Sequence, residues 1–259
     1  MKKNYLFLIF CLIFSSFVGN AQSIENKELL NKSYEALKNI KTVVYKVDYS
    51  TKYLARRDTV YITAVCSLYI APKDKMKTYN IVDLEYLDSD FHSYGKRKYD
   101  GKKTLWANYP IDSLNSHIKP FIDSKKREIH SIVSNYSDLL LKEYFIQNKP
   151  FIKYQSVSDK ILVTEEVHKN IPVYVITVAF QDQDDVKDNI EKHYIRKSDF
   201  LPVAYHSFLR WENMEQYNYY EVEYLAINPD IPLEKFKVTE TETINAEERY
   251  KEFKEKAKL

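Results

Sequence analysis

The feature that most restricts this chain is a hydrophobic period of two, kept up over unusually long runs. In TVVYKVDYST (42–51), Val43, Tyr45, Val47 and Tyr49 share one side of an extended backbone, and Lys46, Asp48 and Ser50 share the other. A helix would scatter these residues around its circumference, whereas a strand sorts them onto two faces. From Thr59 to Ile70 the pattern repeats. Val60, Ile62, Ala64, Cys66, Leu68 and Ile70 take one face, and Tyr61, Thr63, Val65, Ser67 and Tyr69 the other, which is not properly polar. The polar stretch Ala-Arg-Arg-Asp (55–58) is a turn between them, so the two runs are expected to form an antiparallel hairpin.

The same period marks weaker strands over Met76–Tyr86 and Phe91–Tyr99. Asp100-Gly101 then predicts a tight type I′ turn, which needs positive φ at both central residues. A further strand carries Leu105 and Trp106 and stops at Pro110, which has no N–H for the ladder. Later in the chain, Lys160–His168 leads into a turn at Lys169-Asn170 and then into IPVYVITVAF (171–180). That strand is apolar on both faces, with Ile171, Val173, Val175 and Ala179 opposed to Tyr174, Ile176, Val178 and Phe180, the pattern of a strand covered on both sides. A polar, acidic turn (181–188) precedes a strand over Ile190–Arg196; a turn and strand at 197–205 and a strand over Tyr217–Leu225 follow. Asn228-Pro229 turns toward Phe236 and Val238, and Asn245–Leu259 reads as a charged, loose helix.

Two other segments break the period. Ser23–Ile40 recurs at helical spacing through Leu30, Tyr34 and Leu37, with Ser23 and Asn26 as capping residue types at its start. Residues 111–157 form an irregular, partly helical insertion, with a short helix expected over Ser134–Phe145 and Ser137 as its cap. One helix, a run of strands, a helical insertion and more strands define an α+β protein. The simplest geometry is one strongly curved antiparallel sheet with its helices lying in the concave side as a plug.

The first 21 residues stand apart. Lys2 and Lys3, an apolar run over Leu6–Phe17 and the small residues Gly19 and Ala21 read as a secretory signal peptide cleaved after Ala21. The apolar run is too short to span a bilayer. The mature chain, 22–259, is read as a single domain exported to a bacterial periplasm and not membrane-spanning. Without Lys2 and Lys3 the basic residues number 37 against 37 acidic ones, a balance that argues against nucleic acid as a partner. Cys66 is the one cysteine left in that mature chain, so internal disulfides, CxxC redox pairs and cysteine zinc sites are excluded. A buried, small apolar role suits it best.

No catalytic constellation stands out. The six histidines include no i, i+4 pair of the kind that binds metal on a helix. Glu166 and His168 share a face of their strand while Glu165 takes the other, the pattern of a solvated strand edge. With 3 Gly there is no nucleophile elbow, P-loop or dinucleotide fingerprint, and the acidic run QDQDDVKD (181–188) lacks the Gly and Glu of a calcium loop. The reading is therefore a non-enzyme with no catalytic residues, metal or cofactor. The abundance of aromatic residues, 23 Tyr and 13 Phe, suits a sheet with an apolar cavity. Trp106, Tyr109, Tyr174, Ile176, Val178 and Phe180 are the expected ligand-lining residues, being aromatic or branched on strands that flank the proposed opening. The competing reading is a non-catalytic periplasmic protein-interaction module whose Tyr-rich faces meet a partner.

Four stretches carry a family resemblance. YDGKKTLWANYP (99–110) resembles a motif of the periplasmic lipoprotein carrier LolA and its relatives, in which DGK and LW lead to a Pro. SLYIAPKDKMKTYNI (67–81) is similar to that family's second hairpin, DFLPVAYHSF (199–208) to its penultimate strand, and YYEVEYLAINPDIPLEKFKVTE (219–240) to its closing element. Their order covers most of the mature chain apart from 111–157. The resemblance implies a divergent LolA-like protein, an unclosed β-barrel with a helical lid. It also implies carriage of lipid or lipoprotein acyl chains, with inner- and outer-membrane lipoprotein machinery as partners. One position departs from the carrier, since Ala71 stands before Pro72 where the family has a functional Arg.

Overall fold

A computed structural model describes residues 26–74, 76–114, 121–123, 138–146, 161–239 and 245–258. The signal sequence and Ser134–Ser137 lie outside them. Helix α1 (Asn26–Lys38) leads into six strands: β1 (Thr42–Lys52), β2 (Val60–Ile70), β3 (Thr78–Leu87), β4 (His92–Tyr99), β5 (Thr104–Pro110) and β6 (Phe121–Asp123). A π-turn (Lys142–Ile146) precedes β7 (Ile161–His168), β8 (Ile171–Ala179), β9 (Val186–Arg196), β10 (Pro202–Trp211) and β11 (Met214–Ile227), and helix α2 (Ala246–Ala257) follows. All eleven strands join one sheet in the order β6-β5-β4-β3-β2-β1-β11-β10-β9-β8-β7. Two antiparallel meanders thus run outward and inward, meeting where β1 pairs with β11 at the centre. Among the described residues β6 and β7 are free edges, so the curved sheet remains an unclosed barrel.

The central pairing follows from the side chains. Tyr45 lies opposite Tyr224, Val47 opposite Val222 and Tyr49 opposite Tyr220, so the apolar faces of β1 and β11 coincide. Asn228, at φ 52°, closes the end of this seam: its side-chain oxygen accepts the Lys41 N–H at 2.7 Å. Left-handed backbone is one that Asn tolerates.

Two turns exchange the roles expected of them. Tyr99 pairs with Thr104, so Asp100–Lys103 is a four-residue loop in which Gly101 alone has positive φ, at 92°. The Asp100 carboxylate accepts the N–H groups of Lys102 and Lys103 at 2.9 and 2.8 Å, which holds the loop without a type I′ geometry. At Lys169-Asn170 both residues have positive φ, 47° and 67°, and they join β7 to β8 in the two-residue manner of a type I′ turn.

Inward-facing residues from β1–β3, β8, β9 and β11 form one core with α1 and with Leu139–Leu141 and Tyr144–Ile146. Helix α1 contributes Leu29 and Leu37 through its apolar stripe. Helix α2 does not join this plug. It covers the opposite face, where Ala246, Phe253 and Ala257 bury Val65, Tyr94, Leu105, Ala107 and Tyr109. The outward residues of β5, Leu105, Ala107 and Tyr109, are apolar and need that cover, as does Tyr94 of β4, which shares its face with Lys96 and Lys98. The helix is capped by Asn245, which accepts the Glu248 N–H at 3.1 Å, so it is docked and not loose. Two more corrections fall in the insertion. Phe121–Asp123 adds a sixth strand beside β5, and the described part of the expected helix, from Asp138, is an irregular turn leading into the π-turn.

Candidate functional site

The inner face of the sheet carries a row of aromatic side chains. Directly opposite pairs across the strands run Ile176, His193, Tyr205, Tyr220, Tyr49 and Ile62. Tyr205 stacks on Tyr220 with ring centroids 5.2 Å apart, and His193 lies 4.8 Å from Tyr205. The segment Asp138–Ile146 lies on this row as a plug. Its apolar side chains, Leu139, Leu140, Leu141, Phe145 and Ile146, are all buried.

The plug is not regular helix, so its carbonyls need other donors. Asp138 and Leu141 accept backbone N–H groups within the plug, and the sheet supplies donors to the Leu139 carbonyl and to plug side chains. Tyr45 donates its hydroxyl to the Leu139 carbonyl at 2.9 Å, and the Cys66 thiol points at the same oxygen from 3.4 Å. Tyr49 donates to the Asp138 carboxylate at 3.3 Å, and Tyr144 and His193 Nδ1 share a hydrogen bond of 2.7 Å. Burial pushes the Tyr45 and Tyr144 hydroxyls and the Cys66 thiol well above their ordinary pKa values, so all three keep their protons. Cys66 is therefore an inert, buried donor. Phe145 fixes the far end, 5.7 Å from the Tyr45 ring and edge-on to Tyr224.

The plug is also strained. Leu141 sits at φ 45°, a left-handed conformation that a bulky residue without polar side-chain atoms has no intrinsic reason to adopt. The residues after it turn as a π-helix over Lys142–Ile146, a form found mostly as short functional irregularities.

Of the residues expected to line a ligand site, Ile176 and Val178 are buried in this inner core, and Tyr174, Phe180 and Trp106 pack against it. Tyr174 stacks on Phe200, and Trp106 lies under the Arg97 guanidinium at 4.8 Å. Tyr109 is elsewhere: it packs under α2 on the outer face, stacked on Tyr94. The alternation of β5 requires this, since positions 106 and 109 differ by an odd number. Sequence reasoning missed Tyr45, Cys66, His193 and Tyr220. The parity of β1 and β2 flags the first two as inward; nothing local marks His193.

The outer face has polar chemistry of its own. A groove of about 340 Å³ opens there, rimmed by Asp48, Thr63, Tyr61, Tyr219, His206 and Glu221. Beside it His168, at the tip of the β7–β8 hairpin, hydrogen-bonds Glu221 at 2.8 Å and packs 4.6 Å from the Tyr194 ring. His168 is thus packed and paired, not a residue of a solvated strand edge; the curl of the sheet brings the hairpin tip over β9 and β11. Burial opposes ionisation of Glu221, but hydrogen bonds from His206 and His168 and the charges of His168 and Lys169 outweigh it, and the carboxyl sits below its usual range. Among the described residues no group of three or more His, Cys, Asp or Glu is placed to hold a metal ion. Nor is any described helix long and apolar enough to cross a membrane.

The class these features define is an open, strongly curved antiparallel half-barrel, plugged on its inner face and braced by a helix outside. No protein-family model matches the chain, and no curated protein matches it by sequence. Solved structures of similar shape include LprF from Mycobacterium bovis, at 6% identity and TM-score 0.45, covering 80% of this chain and 94% of that one. The Mycobacterium tuberculosis lipoprotein LppX is 10% identical, with TM-score 0.33 over 81% of this chain and 100% of that one. A LolA superfamily protein from Nitrosomonas europaea is 11% identical, with TM-score 0.32 over 83% of this chain and 99% of that one.

Proposed function

We propose that this protein is an exported carrier for apolar ligands, the acyl chains of lipids or lipoproteins, which occupy the inner face in place of the plug. One observation carries the reading: the aromatic inner face is covered by a strained, non-helical segment held by a few side-chain clasps, where a regular packed helix would serve a purely structural core better. Magnitudes support an exchange. Five buried apolar side chains of the plug, at about 2 kcal/mol each, are worth on the order of 10 kcal/mol. An acyl chain of about 16 carbons, at about 0.8 kcal/mol per buried CH₂, contributes about 12 kcal/mol. Chain and plug are therefore near-equal competitors for the same face, and binding and release are both accessible. Trp106, Tyr174, Ile176, Val178 and Phe180 line the proposed site; Tyr109 does not. Native mass spectrometry of mature protein purified without detergent tests this. Extra mass that organic extraction releases as acyl lipid is the expected result. Protein that is bare, and stays bare after incubation with phospholipid or acylated lipoprotein, overturns the reading.

A further inference from the structure

Acyl chains account for the apolar part of the inner face but leave Asn80 without a purpose. Asn80 is on β3, directly between Leu68 of β2 and Tyr99 of β4, both members of the inner core. It is fully buried, and among the described residues neither its amide nitrogen nor its amide oxygen has a hydrogen-bond partner. A buried amide with both ends unpaired is strongly disfavoured, and native proteins keep few such groups. Val or Leu would suit the strand better and remove the penalty. A second buried polar group, Arg97 of β4, faces the same side. The buried Arg97 guanidinium donates to the Ala107 carbonyl at 2.7 Å and to Asn108 Oδ1 at 2.6 Å. Gly95 leaves room for this arrangement, since a Cβ there would lie 3.1 Å from Asn108 Oδ1 and 3.2 Å from Arg97 Nη1. The β3–β5 end of the inner face thus sets two buried polar groups, Asn80 and Arg97, among apolar ones such as Val82 and Leu84, whereas the β8 end, with Ile176 and Val178, is apolar.

We infer that Asn80 is the head-group contact of the internal site, and that the site takes acyl chains whose head carries a hydrogen-bond donor beside an acceptor, as an acyl amide does. The side-chain oxygen of Asn80 accepts the ligand N–H, and its NH₂ donates to the ligand carbonyl. The chain then runs toward β8. This inference rests on the carrier reading above and adds polarity and orientation to it.

The test compares dodecanamide with methyl dodecanoate, equal in chain length, the ester lacking a donor. Both are titrated as displacers of N-phenyl-1-naphthylamine from the mature protein and from Asn80→Leu. The expected result is that the amide-to-ester affinity ratio falls about tenfold in Asn80→Leu, the size of one lost hydrogen bond, while the ester still binds. The melting temperature of free Asn80→Leu is expected to rise, by roughly 2–8 °C. An unchanged ratio, as a bound water alone on Asn80 would give, overturns the head-group contact and leaves the carrier reading standing. A lowered melting temperature in Asn80→Leu overturns it too, by showing that the amide supports the sheet. Displacement by neither compound in the unsubstituted protein overturns the carrier reading and the head-group contact together. Should Asn80→Leu not fold, Asn80→Val supplies the same ratio.

Discussion

The hydroxyl of Tyr45 is buried at the centre of the inner face, yet it has a partner 2.9 Å away in the Leu139 carbonyl. That contact explains why the sheet uses tyrosine where phenylalanine would pack equally well. The Leu139 carbonyl of the plug is an acceptor that this hydroxyl reaches from the sheet floor. Tyr45→Phe is expected to destabilise the protein by about 1 kcal/mol, the net value of a typical hydrogen bond, read as a lowered urea midpoint. It is also expected to speed uptake of an apolar dye, because one clasp on the plug is gone. Tyr94→Phe is the companion measurement. Its hydroxyl donates to Asp83 at 3.0 Å on the outer face, so a similar loss of stability is expected with no change in uptake rate. Equal acceleration in both variants would mean that uptake follows global stability and not the plug.

At the scale of elements, the β7–β8 hairpin is the one most in need of anchoring. It forms a sheet edge, and Leu162 and Val167 of β7 are exposed. Its tip is latched to β11 through Glu221, which pairs with His168 at 2.8 Å and with Lys169 at 3.5 Å. The folded-state pKa of Glu221 lies below the ordinary 4.5. Ionised Glu221 therefore contributes stability above the ordinary value, and that contribution is lost as pH falls through the folded value. Glu221→Gln is expected to cost about 1 kcal/mol at pH 7, with the deficit shrinking below about pH 4. Thermal melts of the two proteins across pH 3–7 check this, and a deficit independent of pH would remove charge from the latch. The strands themselves are legible in the sequence because a period of two survives any tertiary context. The turns are less so. Asp100-Gly101 carries the stronger turn signal, yet the Asp100 carboxylate caps the loop and one left-handed residue suffices there, whereas Lys169-Asn170 takes left-handed backbone at both positions. The plug is the least legible element: a π-turn after a left-handed leucine has no hydrophobic period to read, and its apolar run SDLLLKEYF resembles an ordinary helix. Tyr109 shows the converse, since parity with Trp106 is plain in the sequence and places it outside the inner face.

For the molecule as a whole, the sheet is open and a segment of the same chain packs onto its inner face, so on the carrier reading a ligand enters by moving the plug. Cys66 offers a way to test that coupling. Its sulfur lies 3.4 Å from the Leu139 carbonyl, and both residues are buried in the same core. It is the one cysteine in the chain beyond Cys11. A Leu139→Cys variant puts a second thiol on the plug residue whose carbonyl Cys66 touches, and a disulfide formed between the two ties plug to sheet. The oxidised variant, verified by loss of both free thiols, is expected to take up apolar dye or lipid at least tenfold more slowly than the same protein after reduction. Reduction should restore uptake to a rate at or above that of the unsubstituted chain, since Leu→Cys also weakens the plug's packing by removing buried apolar volume. If oxidised and reduced forms take up ligand equally fast, the plug is a permanent part of the core, and ligand must enter by another part of the inner face.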